Sequence, residues 1–122
     1  MTSKTEATPL IEGRGQGLIE PEWIRDVVAT ALAMRVGVST RTDIDARITE
    51  LTVHLSDLVD VLAADPDQAV EDLRRAAHRH MDPSVRPTRE TPTFQAYTYM
   101  RERAQLTLGL LRVFTAKHEA EP

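Results

Sequence analysis

Six aliphatic residues near the middle of the chain recur at alternating intervals of four and three. They are Ile44, Ile48, Leu51, Leu55, Leu58 and Leu62. On an α-helix this spacing places all six side chains on one stripe, whereas a half-buried β-strand would require alternation with a period of two. Full burial at roughly 1.5–3 kcal/mol for each side chain would contribute on the order of 10 kcal/mol before entropy is counted, which is comparable to the net stability of a domain. The stripe therefore predicts a helix that packs against other helices.

Three further segments have helical spacing of apolar residues. With the stripe helix, which covers about 41 to 64, they make four predicted helices. The first helix begins at Pro21 and ends near Gly37. The third starts at Asp65-Pro66-Asp67-Gln68 and runs to about His80, and the fourth covers about 92 to 118. The buried face of the last helix is expected to contain Tyr97, Met100, Ala104, Leu108, Leu111 and Phe114. No segment alternates with a period of two over a useful length. The sequence therefore predicts an all-α, four-helix bundle-like domain.

Polar residues indicate where two of these helices start. For the stripe helix, either Thr40 with Asp43 or Thr42 with Asp45 can form a capping box. In the third helix, the segment 65–68 supplies an acidic cap, a proline for the first turn and a glutamine at the third position. We therefore expect an aspartate cap at the start of that segment.

Composition limits the size and class of the protein. A chain of 122 residues fits one domain. Residues 1–19, with Ser, Thr, Gly and Pro and no sustained period, predict a flexible N-terminal arm, and residues 20–120 predict the bundle. The absence of cysteine excludes disulfides and thiolate chemistry. Neither a membrane span of ~18 apolar residues nor the apolar region of a signal peptide is found, so we expect a cytoplasmic protein without a membrane partner.

The histidines form no recognisable catalytic or metal-binding pattern. His78 and His80 are two residues apart, about 200° around a helix, and cannot share a metal ion there. We expect them to interact with the negative end of the third helix, and His54 to be a boundary residue hydrogen-bonded to a neighbouring helix. No nucleophile, base and orienting group can be assembled from the spacing. The sequence therefore predicts no catalytic residue, metal or cofactor, and an enzyme is the least favoured class.

One stretch concentrates positive charge in a chain of net charge −4. The candidate interaction residues are Arg74, Arg75, His78, Arg79, Arg86 and Arg89. Guanidinium groups bind carboxylates and phosphates through a planar fork. The stretch is therefore a candidate contact for an acidic protein face, including that of a second copy, or for nucleic acid. It has no interleaved aromatic residues for base stacking, and no helix-turn-helix is recognisable, which favours a protein partner.

Three functional hypotheses follow from these patterns. The favoured one is a non-enzymatic interaction or accessory module, with a homodimer as one form and apolar surface of the second and fourth helices as the contact. For the aliphatic stripe itself, packing inside the domain is favoured over a dimer seam. The alternative is a nucleic-acid-associated regulator that uses the region from Arg74 to Arg89. A third hypothesis is a pocket for a small apolar molecule near Trp23, Tyr97, Tyr99 and Phe114.

Three segments resemble a family of small, uncharacterised actinobacterial helical proteins. They are residues 24–32, residues 51–55 followed by Leu58-Val59, and residues 103–111 of the terminal helix, with His118 close to its end. The resemblance covers roughly residues 20 to 120 and rests on helix order and apolar spacing. The family carries a domain-of-unknown-function label and is loosely linked to natural product biosynthesis. The resemblance therefore implies a genomic setting, without catalytic residues. The family usually has an aromatic residue close to the last histidine, and here the nearest is Phe114.

Overall fold

A computed structural model describes residues 19–119, with side chains described through His118. This part of the chain forms four α-helices and one 3-10 turn and contains no strand, which confirms the all-α, four-helix prediction. The elements are α1 (Pro21–Ala33), α2 (Arg41–Val61), α3 (Gln68–His80), the 3-10 turn (Pro83–Val85) and α4 (Thr93–Glu119). The predicted arm lies outside the described residues except for Ile19, which is buried at the edge of the core. None of the described helices is long and apolar enough to cross a bilayer.

Helix α4 is the longest element and contacts each of the other three helices. Its most extensive partner is α2, and α1 packs on both of them. Helix α3 packs mainly on α4 and only lightly on α2. The six stripe residues from Ile44 to Leu62 are 0–5% exposed within the single chain. The stripe therefore lies in the core of its own domain, and none of it is left exposed as a seam for a dimer.

The structure identifies the caps of α2 and α3. The Thr40 hydroxyl accepts a hydrogen bond from the backbone N–H of Asp43 at 3.0 Å, so Thr40 is the cap of α2. At α3 the cap is Asp67, whose carboxylate accepts from the N–H of Ala69 at 2.9 Å. The expected cap two residues earlier was wrong, because the Asp65 carboxylate instead accepts from the N–H of Asp67, at 2.8 Å. Pro66 therefore precedes the cap of α3 and lies outside the first turn of that helix.

Two polar side chains of α4 join it to the end of α1. The Tyr97 hydroxyl donates to the carbonyl oxygen of Met34 at 2.8 Å, and Arg101 Nη1 donates to that of Leu32 at 2.8 Å. These carbonyls lie at the C-terminal end of α1, where no further helical N–H is available. Helix α1 therefore ends at Ala33, earlier than the glycine at position 37 that was expected to end it.

Candidate interaction groove

An open groove of about 1090 Å³ runs between α3, the 3-10 turn and the N-terminal half of α4. We call it the α3–α4 groove. Its apolar lining includes Leu73, Ala76, Val85, Phe94 and Leu106. Phe94 is 63% exposed and Val85 is 54% exposed. Apolar side chains grouped on an open surface mark binding sites more often than apolar side chains exposed singly, so this groove is the candidate functional site.

The loop at the rim of the groove is held by an arginine from α2. Arg41 donates from Nη2 to the carbonyl oxygen of Thr88 at 2.6 Å and from Nη1 to that of Thr91. Its Nε also forms an ion pair with Asp45 at 3.0 Å. Because a loop without helical hydrogen bonds needs other donors for its carbonyl groups, these contacts fix the loop position. Helix α2 therefore supports the rim of the groove, although its apolar stripe points into the core.

A buried arginine lies behind the wall of the groove. Arg103, on α4, is 2% exposed. Its Nη2 donates to the carbonyl oxygen of His80 at 2.8 Å and to the Tyr99 hydroxyl, and its Nη1 donates to the Thr52 hydroxyl. The Tyr99 hydroxyl in turn donates to the same His80 carbonyl, at 2.8 Å. These bonds join α2, α3 and α4 through one guanidinium group.

The same arginine determines the tautomer of His80. Arg103 Nε carries a hydrogen and lies 3.2 Å from His80 Nδ1, so Nδ1 must accept. The proton of the neutral imidazole is therefore on Nε2, which lies 3.3 Å from Glu102 Oε1 and donates to it. The ring also stacks on Tyr99, with centroids 4.1 Å apart. His80 and Tyr99 both line the groove, so the network reaches its surface.

Burial and charge keep this network in one protonation state. Burial, followed by the nearby charge of Arg103, lowers the pKa of His80, so the ring is neutral at pH 7. Burial raises the pKa of the Tyr99 hydroxyl, which remains protonated. Burial also lowers the pKa of Arg103, but a guanidinium keeps its proton in proteins. Among the described residues, no carboxylate lies within ion-pair distance of Arg103, so its positive charge is not neutralised.

The rim of the groove is also basic. Arg79 at the end of α3 and Arg86 after the 3-10 turn are exposed, line the groove and belong to none of the ion pairs between described residues. Glu102 is the acidic residue of the lining. With the buried Arg103 included, three positive charges are opposed by one negative charge at this site. The groove therefore combines apolar walls with a positive potential.

The structure separates the candidate interaction residues into groups. Arg74 donates to the carbonyl oxygen of Val59 at 3.0 Å and to Glu71 at 3.0 Å, and Glu71 also lies 3.4 Å from Arg75. Arg74 therefore joins α3 to α2, and its role as an interaction residue stays a prediction. Arg75 and His78 are exposed on α3 outside the groove lining. Arg79 and Arg86 line the groove, and Arg86 also lines, with Arg89, a neighbouring cavity of about 510 Å³. Contact of this region with nucleic acid stays a prediction.

The four aromatic residues expected near one internal pocket lie apart. Trp23 is 60% exposed and meets His54 edge-on, with ring centroids 5.2 Å apart. Tyr97 is bonded to the end of α1, and Tyr99 lies in the α3–α4 groove. Phe114 packs on His118 at the far end of α4. The prediction that these four residues share one pocket was therefore wrong. The expected hydrogen bond from His54 to a neighbouring helix is also absent among the described residues, where this ring meets Trp23 instead.

Sequence reasoning missed Arg103, Phe94 and Val85. Arg103 had a detectable signal, because it lies three residues after Met100 and four before Thr107, on the stripe that also contains Ala104. A charged residue on an apolar stripe indicates a buried polar network. Phe94 and Val85 gave no such signal, since exposure at a helix start and in a short turn depends on how the loop folds.

Comparisons with known proteins leave the function to be argued from this geometry. No protein-family model matches the chain, and no curated protein or solved structure gives a significant match. Within the part of the chain that the structure describes, no group of three or more histidine and acidic side chains is arranged to hold a metal ion. The α3–α4 groove, with its basic rim and buried arginine, is therefore the feature from which a function can be inferred.

Proposed function

We propose that this chain is a small non-enzymatic helical module that binds another protein through the α3–α4 groove and acts as an accessory or regulatory subunit. The observation that carries the proposal is the exposure of Phe94 and Val85 in a groove whose rim and wall are held by hydrogen bonds of Arg41 and Arg103. Aromatic side chains in a concave apolar site are typical anchors of protein interfaces. The proposed contact uses α4 together with α3 and the 3-10 turn, whereas the apolar stripe of α2 is buried in the core.

The polar network supports a binding role because it holds the groove in shape. Arg103, His80 and Tyr99 bond mainly to one another and to backbone, which leaves them poorly placed for proton transfer to a substrate. A preformed site binds with less loss of conformational entropy than a mobile one. The network therefore serves recognition better than catalysis.

The resemblance to the actinobacterial helical family adds a proposed setting. We infer that the module works in the cytoplasm, beside proteins of natural product biosynthesis. The partner is either a different protein or a second copy of this chain. Multi-angle light scattering at two protein concentrations separates these cases, since a homodimer doubles the measured mass and a strict monomer leaves only a different partner.

Site-specific photo-crosslinking in the native host tests the groove. Phe94 is replaced by p-benzoylphenylalanine, and the matched control carries the same group at Val38, which is 79% exposed but lies outside the groove. We expect a discrete adduct at position 94 that is absent at position 38. The adduct should disappear when Val85→Glu places a charge in the groove. Adducts that are equal at both positions, or that survive Val85→Glu, would falsify the proposal.

A further inference from the structure

We propose that the partner segment in the α3–α4 groove is an acidic amphipathic helix of another protein, whose carboxylates pair with Arg79 and Arg86. This inference rests on the proposed function and names the chemistry of the partner. The groove supplies both halves of such a contact. Its apolar lining includes Leu73, Val85 and Phe94, and its rim carries two exposed arginines that form no ion pair with the described residues.

The positive charge of the groove determines the sign of the charge expected on the partner segment. Arg79, Arg86 and the buried Arg103 are opposed in the groove by Glu102, which already accepts a hydrogen bond from His80. A complementary potential accelerates association and rejects partners of the wrong sign. A second copy joined symmetrically through this groove would bring its own arginines against those of the first. These like charges would repel each other. The rim therefore favours an acidic segment from a different protein.

The walls favour a helix as the form of that segment. A peptide in β conformation binds by adding backbone hydrogen bonds to a strand edge, and residues 19–119 contain no strand. The loop side of the groove contributes Pro87 beside Val85, and proline has no N–H to donate. A helix satisfies its own backbone and needs only apolar anchors along one face. The groove volume of about 1090 Å³ accommodates several such side chains.

Nucleic acid fits this site less well than an acidic helix. Binding to a duplex draws most of its affinity from many phosphate contacts, and the groove offers two exposed arginines at its rim. Its exposed apolar walls would remain without a partner against a phosphate backbone. An acidic amphipathic helix covers the walls and pairs with the rim at the same time.

The test measures fluorescence anisotropy of labelled model peptides with the full chain. One peptide is a capped amphipathic helix of about 18 residues, or five turns, with leucine on one face and glutamate on the other. Its counterpart carries lysine in place of glutamate. We expect the glutamate peptide to bind at least about tenfold more tightly at low salt, and the difference to shrink at ~0.5 M salt.

Charge reversal locates the contact. Arg79→Glu with Arg86→Glu should weaken binding of the glutamate peptide by about tenfold or more and strengthen binding of the lysine peptide. The matched control is Arg35→Glu with Arg112→Glu, which changes the net charge equally at exposed sites outside the groove. We expect this control to retain most of the preference, and Arg79→Lys with Arg86→Lys to retain most of the binding.

The outcomes separate the two proposals. Equal binding of both peptides, lost in Phe94→Ser, would overturn the acidic partner and leave the groove as the docking site. Binding of the glutamate peptide that is unaffected by Phe94→Ser would place the contact elsewhere and overturn the groove itself. Failure of both peptides to bind, or preference for a short DNA duplex with sensitivity to the same two arginines, would also overturn the acidic helix.

Discussion

The two sides of α4 use apolar residues in different ways. Towards α2, the six side chains of the aliphatic stripe between Ile44 and Leu62 are almost completely buried. Towards α3, Phe94 and Val85 remain largely exposed, and a charged Arg103 occupies the interior beside them. The difference shows that apolar content alone does not locate an interface in a helical protein. Stability is concentrated where burial is complete, and we propose that recognition occurs where apolar groups are left exposed.

Polar contacts add to apolar packing on the α3 side, where Val70 and Ala77 are buried in the core. Helix α3 packs lightly on α2, and Arg74 of α3 joins the two at the carbonyl of Val59. Arg103 of α4 bridges them through its bonds to the Thr52 hydroxyl and the His80 carbonyl. Hydrogen bonds of this kind fix distance and orientation without filling the space between helices. An open groove can therefore persist beside a closed core in the same small domain.

The largest expected effect compares one residue from each side. Leu55→Ala removes a fully buried side chain and should lower the free energy of unfolding by about 2–5 kcal/mol. Phe94→Ala, in the groove, should change it by about 0.5 kcal/mol or less, because an exposed ring gains little from folding. Urea denaturation followed by circular dichroism measures both. Similar losses in the two variants would mean that Phe94 is packed in solution and that the groove is closed.

The second effect concerns the arginine beneath the groove. Arg103→Met should lower the free energy of unfolding by about 1–3 kcal/mol, because the His80 ring loses its donor and the His80 carbonyl keeps only the Tyr99 hydroxyl. Arg103→Lys keeps the charge but cannot reproduce the planar fork, so it should also destabilise. Arg112→Met, at an exposed site on the same helix, is the matched control and should be close to neutral. If Arg103→Met were as stable as the control, the network would not support the groove.

Much of the fold follows from sequence periodicity, whereas most of the groove does not. The spacing from Ile44 to Leu62 predicts a helix and its buried face, since a stripe of that area cannot remain in water. Four helices and their approximate ranges follow in the same way. Met100, Ala104, Leu111 and Phe114 of the predicted α4 face are buried, whereas Tyr97 and Leu108 are only half-buried. The periodicity of one helix does not reveal how deeply its neighbours cover each side.

The groove depends on contacts between residues distant in sequence. Arg103 meets Thr52 across 51 residues, and Arg41 meets the carbonyl of Thr88 across 47. Local spacing predicted neither contact. It predicted one continuous basic region, but Arg74 turns towards α2 while Arg79 and Arg86 reach the groove. A charge run identifies residues, and only the packing of helices decides which of them share a surface.

The third effect tests how α2 is capped. Thr40→Ala removes the hydroxyl that accepts from the N–H of Asp43, and should cost about 1 kcal/mol of stability. Thr42→Ala, the other threonine that the sequence allowed as the cap, lies in the first helical turn and should cost little. Thermal unfolding at fixed pH compares the two. A larger loss for Thr42→Ala would place the start of the core helix two residues later than described.

The smallest expected effect is a pH dependence that arises on both sides of α4. Burial lowers the pKa of His54 and His80 from the ordinary value of 6.5, so the folded chain holds both rings neutral. Below pH 6.5 the unfolded chain binds protons that the folded chain does not, and the free energy of unfolding falls. It should stop falling once the pH drops below the folded pKa values. Denaturation midpoints between pH 7.5 and 5 measure this slope.

Substitutions assign the slope to its source. His80→Asn keeps an acceptor for Arg103 but cannot titrate, and His54→Gln removes the second buried ring, so the double variant should show a flatter profile. His78→Asn, on an exposed side of α3, is the matched control and should keep the wild-type slope. Hydrogen bonds from the Asp67 and Ser84 backbones lower the pKa of Asp65 and Asp82 from the ordinary value of 3.8, so the stability that these two carboxylates contribute is lost only below about pH 5, outside the measured range. If His80→Asn alone removed the whole slope, the pH response would belong to the groove. There the protonated Nδ1 of His80 would face the Nε–H of Arg103. The other charged or titratable groups that line the groove are Arg79, Arg86, Tyr99 and Glu102.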